Sequence, residues 1–253
     1  MSNLEFEILP SILAADFSEL GPEAQRVERS GIKTIHLDLM SYPFVPNLSF
    51  GPALAKMLLK YTNLRQHTHL MVDDPENHID DYVNNNTDII IVHAEGCKPL
   101  YRTLMYLKDK GVRAGVAFRP GTNYTIVPFS ILDKVVDEVL FMTVEPGYGG
   151  QKFIPEVLDT IRRFKKEHPH VSVSADGGLG AFEKDGTPIL DTETTLYQAT
   201  ESGVDRAVIG TSLFIQRYRD ENYSPLITES QRVGEIGYRI FMARMQKEMG
   251  RSP

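Results

Sequence analysis

Along the chain, short apolar runs alternate with longer stretches in which apolar positions recur every three to four residues. Runs of the first kind predict strands, and stretches of the second kind predict helices with one buried face. Strands are expected at 8–13, 34–40, 64–72, 88–93, 112–118, 139–144, 171–175 and 207–209. Helices are expected at 19–30, 52–60, 77–84, 100–110, 155–167 and 193–202, with a short one near 128–132 and a long closing one at 229–249. The run Ile89-Ile90-Ile91-Val92 is apolar on both faces, as in a parallel sheet covered by helices. Eight strand–helix pairs predict an α/β protein, a single-domain (β/α)8 TIM barrel spanning 1–253, with a polar loop insertion near 181–192. Such a barrel places its chemistry at the C-terminal strand ends and in the loops just beyond.

The strand expected at 34–40 breaks the apolar pattern. Side chains alternate across a strand, so Ile35, Leu37 and Leu39 share one face while His36, Asp38 and Met40 share the other. A lone His-x-Asp also serves as a self-satisfied structural pair, but related pieces recur. His69 lies near the end of the 64–72 strand, and Asp176 follows the 171–175 strand. Two imidazoles and two carboxylates at strand ends form a four-ligand set for one divalent ion, Zn²⁺ foremost, with Fe²⁺, Mn²⁺ and Co²⁺ also compatible. His93, at the end of the 88–93 strand, is ambiguous, since a histidine there can equally be hydrogen-bonded in the core, and it is left out of that set.

Composition narrows the partners. The 42% hydrophobic and 24% charged content is that of an ordinary globular chain, and its apolar runs fall far short of the ~20 residues of a membrane helix. A formal charge of −7 argues against a nucleic-acid surface, so an anionic substrate would need a local site. The single cysteine, Cys97, forms no internal disulfide, and the first residues lack a basic region followed by an apolar run, so a cytoplasmic address is expected. Three glycine-rich stretches, 146–151, 176–178 and 210–212, follow the last three strands. Their backbone N–H groups can hold a phosphate without Lys or Arg, and Gly178, Gly210, Thr211 and Ser212 are the foremost candidates.

From Leu9 to Phe214 the chain resembles the ribulose-phosphate 3-epimerase family. The resemblance is carried by Pro10-Ser11-Ile12-Leu13-Ala14-Ala15-Asp16-Phe17, His36-Leu37-Asp38-Leu39-Met40, Phe44-Val45-Pro46-Asn47 and His69-Leu70-Met71. It continues through Val144-Glu145-Pro146-Gly147-Tyr148-Gly149-Gly150-Gln151-Lys152-Phe153, Asp176-Gly177-Gly178 and Gly210-Thr211-Ser212-Leu213-Phe214.

The resemblance implies a metal held by His36, Asp38, His69 and Asp176, and reversible inversion at C3 of a ketose phosphate, foremost D-ribulose 5-phosphate to D-xylulose 5-phosphate. Asp38 and Asp176 would be the paired acid and base on opposite faces of an enediolate. Ser11 and His69 would face the substrate, Met40, Met71 and Met142 would line the pocket, and Gly147, Tyr148, Gly149, Gly150 and Gly177 would complete the loops around it. A hexulose 6-phosphate epimerase and a noncatalytic sugar-phosphate-binding barrel are the alternatives, and self-association into a homo-oligomer is compatible with either. Three departures bear on the substrate: Ser41-Tyr42 where the family has Asp-Gly, Arg119 after the fifth strand, and the 181–192 insertion. Tyr42 is expected to fill space near the site, and Arg119 to add a cation at its mouth.

Overall fold

A computed structural model describes residues 6–180 and 194–214; the 181–192 insertion and the closing helix expected at 229–249 lie outside them. Eight parallel strands run β1 (Glu7–Pro10), β2 (Thr34–Met40), β3 (Arg65–Met71), β4 (Thr87–His93), β5 (Arg113–Phe118), β6 (Glu138–Met142), β7 (Ser172–Asp176) and β8 (Arg206–Ile209). Between them lie helices α1 (Leu20–Arg29), α2 (Pro52–Leu58), α3 (Ile79–Tyr82), α4 (Leu100–Asp109), α5 (Phe129–Lys134), α6 (Val157–Glu167) and α7 (Thr195–Glu201). The sheet is ordered β1-β8-β7-β6-β5-β4-β3-β2, and its two margins meet at one bridge, Ser11 to His36.

Register shows how the barrel closes. From Met40 the pairing, continued where a ladder stops, passes through Met71, His93, Ala117, Leu140, Ser174 and Arg206 to Glu7. Crossing the Ser11–His36 bridge, the path returns to β2's chain at Ile32, eight residues below its start. That is the shear of an eight-stranded (β/α)8 barrel, and the tilt it imposes brings side chains from distant strands to one level on the axis.

The two faces of the strands separate as alternation demands. Outward residues such as Ile35, Leu37, Leu39, Ile90 and Val92 pack with Ala24, Val27 and Leu104 of the helices in the main core. Inward, Ile89, Ile91, Ala117, Leu140, Met142 and Val144 form a separate apolar cluster on the β4–β6 side. The β2–β3 side instead turns His36, His67 and His69 inward, all fully buried.

Two expected elements differ. The first strand ends at Pro10 rather than 13, because the chain turns into a 3-10 helix at Ile12–Ala14, where Ala15 N–H donates to the Ile12 carbonyl at 3.1 Å. The third helix shrinks from 77–84 to a 3-10 turn at Pro75–Asn77 and the single turn of α3. Asn side chains capture the backbone that a longer helix would use: Asn84 Nδ2 donates to the Tyr82 carbonyl at 3.2 Å, and Asn86 N–H to Asn84 Oδ1 at 2.8 Å.

Candidate active site

The polar face of β2 and the ends of β3 and β7 converge. One ligand atom each from His36, Asp38, His69 and Asp176 can be chosen so that all four lie within 4.8 Å of one another. His36 Nε2 is 3.1 Å from Asp38 Oδ1 and 3.7 Å from Asp176 Oδ2; His69 Nδ1 is 3.5 Å from each of the same two oxygens. Three of these residues are buried and Asp176 is nearly so. Two carboxylates this close repel by roughly 3 kcal/mol at an effective dielectric of about 20, so the arrangement calls for a cation between them.

The titration behaviour has the same cause. Burial alone would raise the Asp38 carboxyl, but the facing His36, which also hydrogen-bonds it, and His69 outweigh that and hold Asp38 well below the usual carboxylate range. Burial would lower His69, yet the Asp176 and Asp38 carboxylates that face its Nδ1 push it up to about 9. Without a metal, the proton on His69 supplies the positive charge that the carboxylates demand. His69 Nδ1 is nonetheless a buried nitrogen with no well-formed hydrogen bond, which fits a donor set of two imidazoles and two carboxylates built for a borderline divalent ion.

Behind each histidine stands a second one. His36 Nδ1 lies 2.8 Å from His67 Nδ1, and His67 Nε2 lies 2.7 Å from Glu138 Oε1. His69 Nε2 lies 2.9 Å from His93 Nε2, and His93 Nδ1 lies 3.1 Å from Glu95 Oε2. Burial depresses His67 and His93 to about 4 against the raising pull of their glutamates, so both are neutral at pH 7. His93 is thus a buried, hydrogen-bonded residue. His67, Glu138 and Glu95 were not expected, although the period-two alternation that placed His69 inward also points His67 inward.

Above the cluster opens a cavity of about 670 Å³, within the range of small-ligand sites. Asp38 and Asp176 lie on its floor with Ser11, whose Oγ donates to Asp38 Oδ2 at 2.5 Å. Met40, Met71 and Met142 line it. His36 and His69 are fully buried and do not form part of its wall. The far side is closed by Gly177, Gly178, Gly210, Thr211 and Ser212. Gly177 and Gly178 have φ of +115° and +65°, and a Cβ on Gly178 would sit 2.8 Å from the Phe153 backbone nitrogen, so neither position accommodates a larger residue.

Gly147, Tyr148, Gly149 and Gly150 form the rim, tied across the mouth to the loop after β2. Asn47 Nδ2 donates to the Gly147 carbonyl at 2.7 Å, and the Tyr148 hydroxyl donates to the Pro46 carbonyl at 2.8 Å. Asn47 itself lines the cavity. The sequence offered it within the Phe44-Val45-Pro46-Asn47 piece without a role.

Two departures fall elsewhere than expected. Tyr42 is 82% exposed and takes no part in the cavity wall. Arg119 is also absent from that wall: its Nη2 donates to the Phe44 carbonyl at 2.7 Å and its guanidinium lies 4.3 Å over the Phe44 ring. A tyrosine on a loop can turn to water, and a guanidinium with an aromatic face and a carbonyl in reach docks there.

Among the described residues no helix is long and apolar enough to cross a membrane. Solved structures with the same architecture include a mutant tryptophan synthase alpha-subunit from Pyrococcus furiosus (TM-score 0.60, 10% identity, covering 94% of this chain and 98% of that one). The N-terminal domain of a putative aldolase from Bacteroides vulgatus is similar too (TM-score 0.55, 12% identity, covering 96% and 88%). Both establish the barrel and nothing finer. Sequence is more specific. Ribulose-phosphate 3-epimerase of Bacillus subtilis is 36% identical over 228 residues, covering 87% of this chain and 97% of its own. The cytoplasmic isoform of Oryza sativa is 35% identical over 210 residues (82% and 87%), and the Escherichia coli enzyme 32% over 220 (84% and 90%). The model of the ribulose-phosphate 3 epimerase family matches residues 7–214, from the first residue of β1 to the turn after β8. With that match spanning every strand that carries the cluster, the chain belongs to the ribulose-phosphate 3-epimerase family and is an epimerase.

Proposed function

We propose that the chain interconverts D-ribulose 5-phosphate and D-xylulose 5-phosphate by two-base proton transfer at C3, with a divalent metal, Zn²⁺ foremost, held by His36, Asp38, His69 and Asp176. The observation that carries this reading is the pair of carboxylates, Asp38 from β2 and Asp176 from β7, on the floor of one cavity beside two buried imidazoles. The chemistry such an ion supplies when bound is stabilisation of the negative charge that develops on the substrate oxygen.

The protein's own groups do the rest. Asp38 is kept ionised by His36 and His69 and is oriented by the Ser11 hydroxyl, so it is poised to take a proton from carbon. Asp176 reaches the same space from another strand and returns a proton to the opposite face; in the reverse direction the two exchange roles. Met40, Met71 and Met142 supply an apolar, polarisable wall that excludes water from the planar intermediate. Among the described residues the cavity wall contains no Lys or Arg, which leaves the substrate phosphate to the backbone of Gly178, Gly210, Thr211 and Ser212.

A panel of ketose phosphates, including D-ribulose 5-phosphate and a hexulose 6-phosphate, tests the reading in deuterated buffer. Fastest incorporation of deuterium at C3 is expected with D-ribulose 5-phosphate. Faster exchange on the hexulose would transfer the substrate assignment, and absence of exchange on every member would overturn the proton-transfer chemistry.

A further inference from the structure

The two histidines of the cluster expose different nitrogens to it, Nε2 of His36 and Nδ1 of His69. Each imidazole must therefore be held in a different tautomer if both are to offer a lone pair. The hydrogen bonds behind them dictate that choice. Glu138 Oε2 accepts from Arg206 Nη1 at 2.8 Å, and its Oε1 faces His67 Nε2. Glu95 Oε1 accepts from the Arg119 backbone N–H at 2.7 Å, and its Oε2 faces His93 Nδ1.

An ionised carboxylate only accepts, so His67 carries its hydrogen on Nε2 and His93 on Nδ1. A neutral imidazole has one such hydrogen, and the remaining nitrogens, His67 Nδ1 and His93 Nε2, are acceptors. Across the 2.8 and 2.9 Å contacts, His36 must then donate from Nδ1 and His69 from Nε2. With a metal bound in place of the His69 proton, the lone pairs left over, on His36 Nε2 and His69 Nδ1, are the two that face Asp38 and Asp176.

We propose that His67 with Glu138, and His93 with Glu95, are positioning residues: two His–Glu relays that set opposite tautomers in His36 and His69 so that both present a lone pair to one metal. This rests on the reading that the cluster holds a divalent ion. Neither relay touches the cavity, and His67 and Glu138 are fully buried along the axis of the barrel.

A glutamine at either glutamate reverses the relay while keeping its shape. In Glu138→Gln the amide oxygen must stay with Arg206, so the NH₂ faces His67, and the hydrogen pattern inverts until His36 carries its hydrogen toward the metal. In Glu95→Gln the oxygen must stay with the Arg119 N–H, and His69 is inverted in the same way. The Glu95 side chain is 19% exposed, so water can take over part of its role; that of Glu138 is not exposed at all.

The test is a Zn²⁺ titration of chelator-stripped parent and both variants against a chromophoric competitor, with long-range ¹H–¹⁵N spectra of ¹⁵N-histidine protein in the Zn²⁺-loaded state. In the parent, His67 should show its hydrogen on Nε2 and His93 on Nδ1. Glu138→Gln should weaken Zn²⁺ binding by about 10–100-fold, the range typical of groups that orient metal ligands, and Glu95→Gln by less. Should Glu138→Gln fail to fold, the parent spectra and Glu95→Gln decide. The inference is overturned if the loaded parent shows the other tautomers, or if folded variants bind Zn²⁺ as tightly as the parent. A parent that takes up no Zn²⁺ at this cluster would instead remove the metal reading on which the inference rests.

Discussion

The interior of the barrel has two unlike halves. Along β4 to β6 it is filled by Ile89, Ile91, Ala117, Leu140 and Met142, with Gly115 making room for Ile91. Along β2 and β3 the same levels hold His36, His67 and His69, backed by Glu138 and Arg206 from across the axis. An apolar half is satisfied by volume alone. A polar half is satisfied by hydrogen bonds, and here each histidine chain runs to a carboxylate that is itself held by an arginine or a backbone N–H. The apolar half therefore sets distance and rigidity, whereas the polar half sets hydrogen positions, and substitutions in the two should fail in different measurements.

The largest contrast is expected at the floor. Asp38→Asn and Asp176→Asn should each lower epimerisation by about 10²–10⁴-fold in metal-loaded protein, the effect of losing an acid or base. Leu140→Ala should leave turnover per folded molecule unchanged. Near-normal epimerisation by either loaded Asn variant would remove that carboxylate from the mechanism.

Next comes pH. His69 has a folded value of about 9 against 6.5 for a free imidazole, so its proton stabilises the metal-free fold fully below about pH 6.5, and that contribution disappears as pH rises through about 9. Chelated protein should lose denaturant resistance over that window, and Zn²⁺-loaded protein should not. Because the metal displaces this proton, apparent affinity should fall about tenfold per pH unit below 9, visible as uptake of one proton by buffer in calorimetry. Metal binding without proton release would contradict the assignment of His69.

The apolar half should respond in stability. Leu140→Ala removes a fully buried side chain and should cost about 2–5 kcal/mol in denaturant unfolding. Gly115→Ala should cost about 1–3 kcal/mol, because the added Cβ would meet Ile91 Cγ1 at 2.5 Å. If either variant lost Zn²⁺ affinity as severely as Glu138→Gln, the division between the halves would not hold.

How far the sequence foretells this arrangement depends on the range of the force involved. β2 runs from Thr34 to Met40, as alternation predicts, and the same alternation puts His36 and Asp38 together on one face of it. Glu138 does not follow. A glutamate before an apolar run reads as a solvated strand start, and its burial depends on Arg206 and His67, 68 and 71 positions away in the chain. Tyr42 and Arg119 illustrate the converse: chemistry says what each can do, while only the course of the loops decides that one meets water and the other Phe44.

The single bridge between β1 and β2 makes that join the seam of the cylinder. Besides the bridge, side-chain stitches cross it, among them Thr34 Oγ1 to Glu7 Oε1 at 2.5 Å near one end and Ser11 Oγ to Asp38 Oδ2 near the other. β2 and β3 lie on one side of this seam and β7, β8 and β1 on the other. An ion shared by His36, Asp38, His69 and Asp176 would thus act as a clasp joining both margins of the sheet. Loading the site would tighten the cylinder at this seam, and backbone amides of β1 and β2 should then be the first to slow their exchange with solvent.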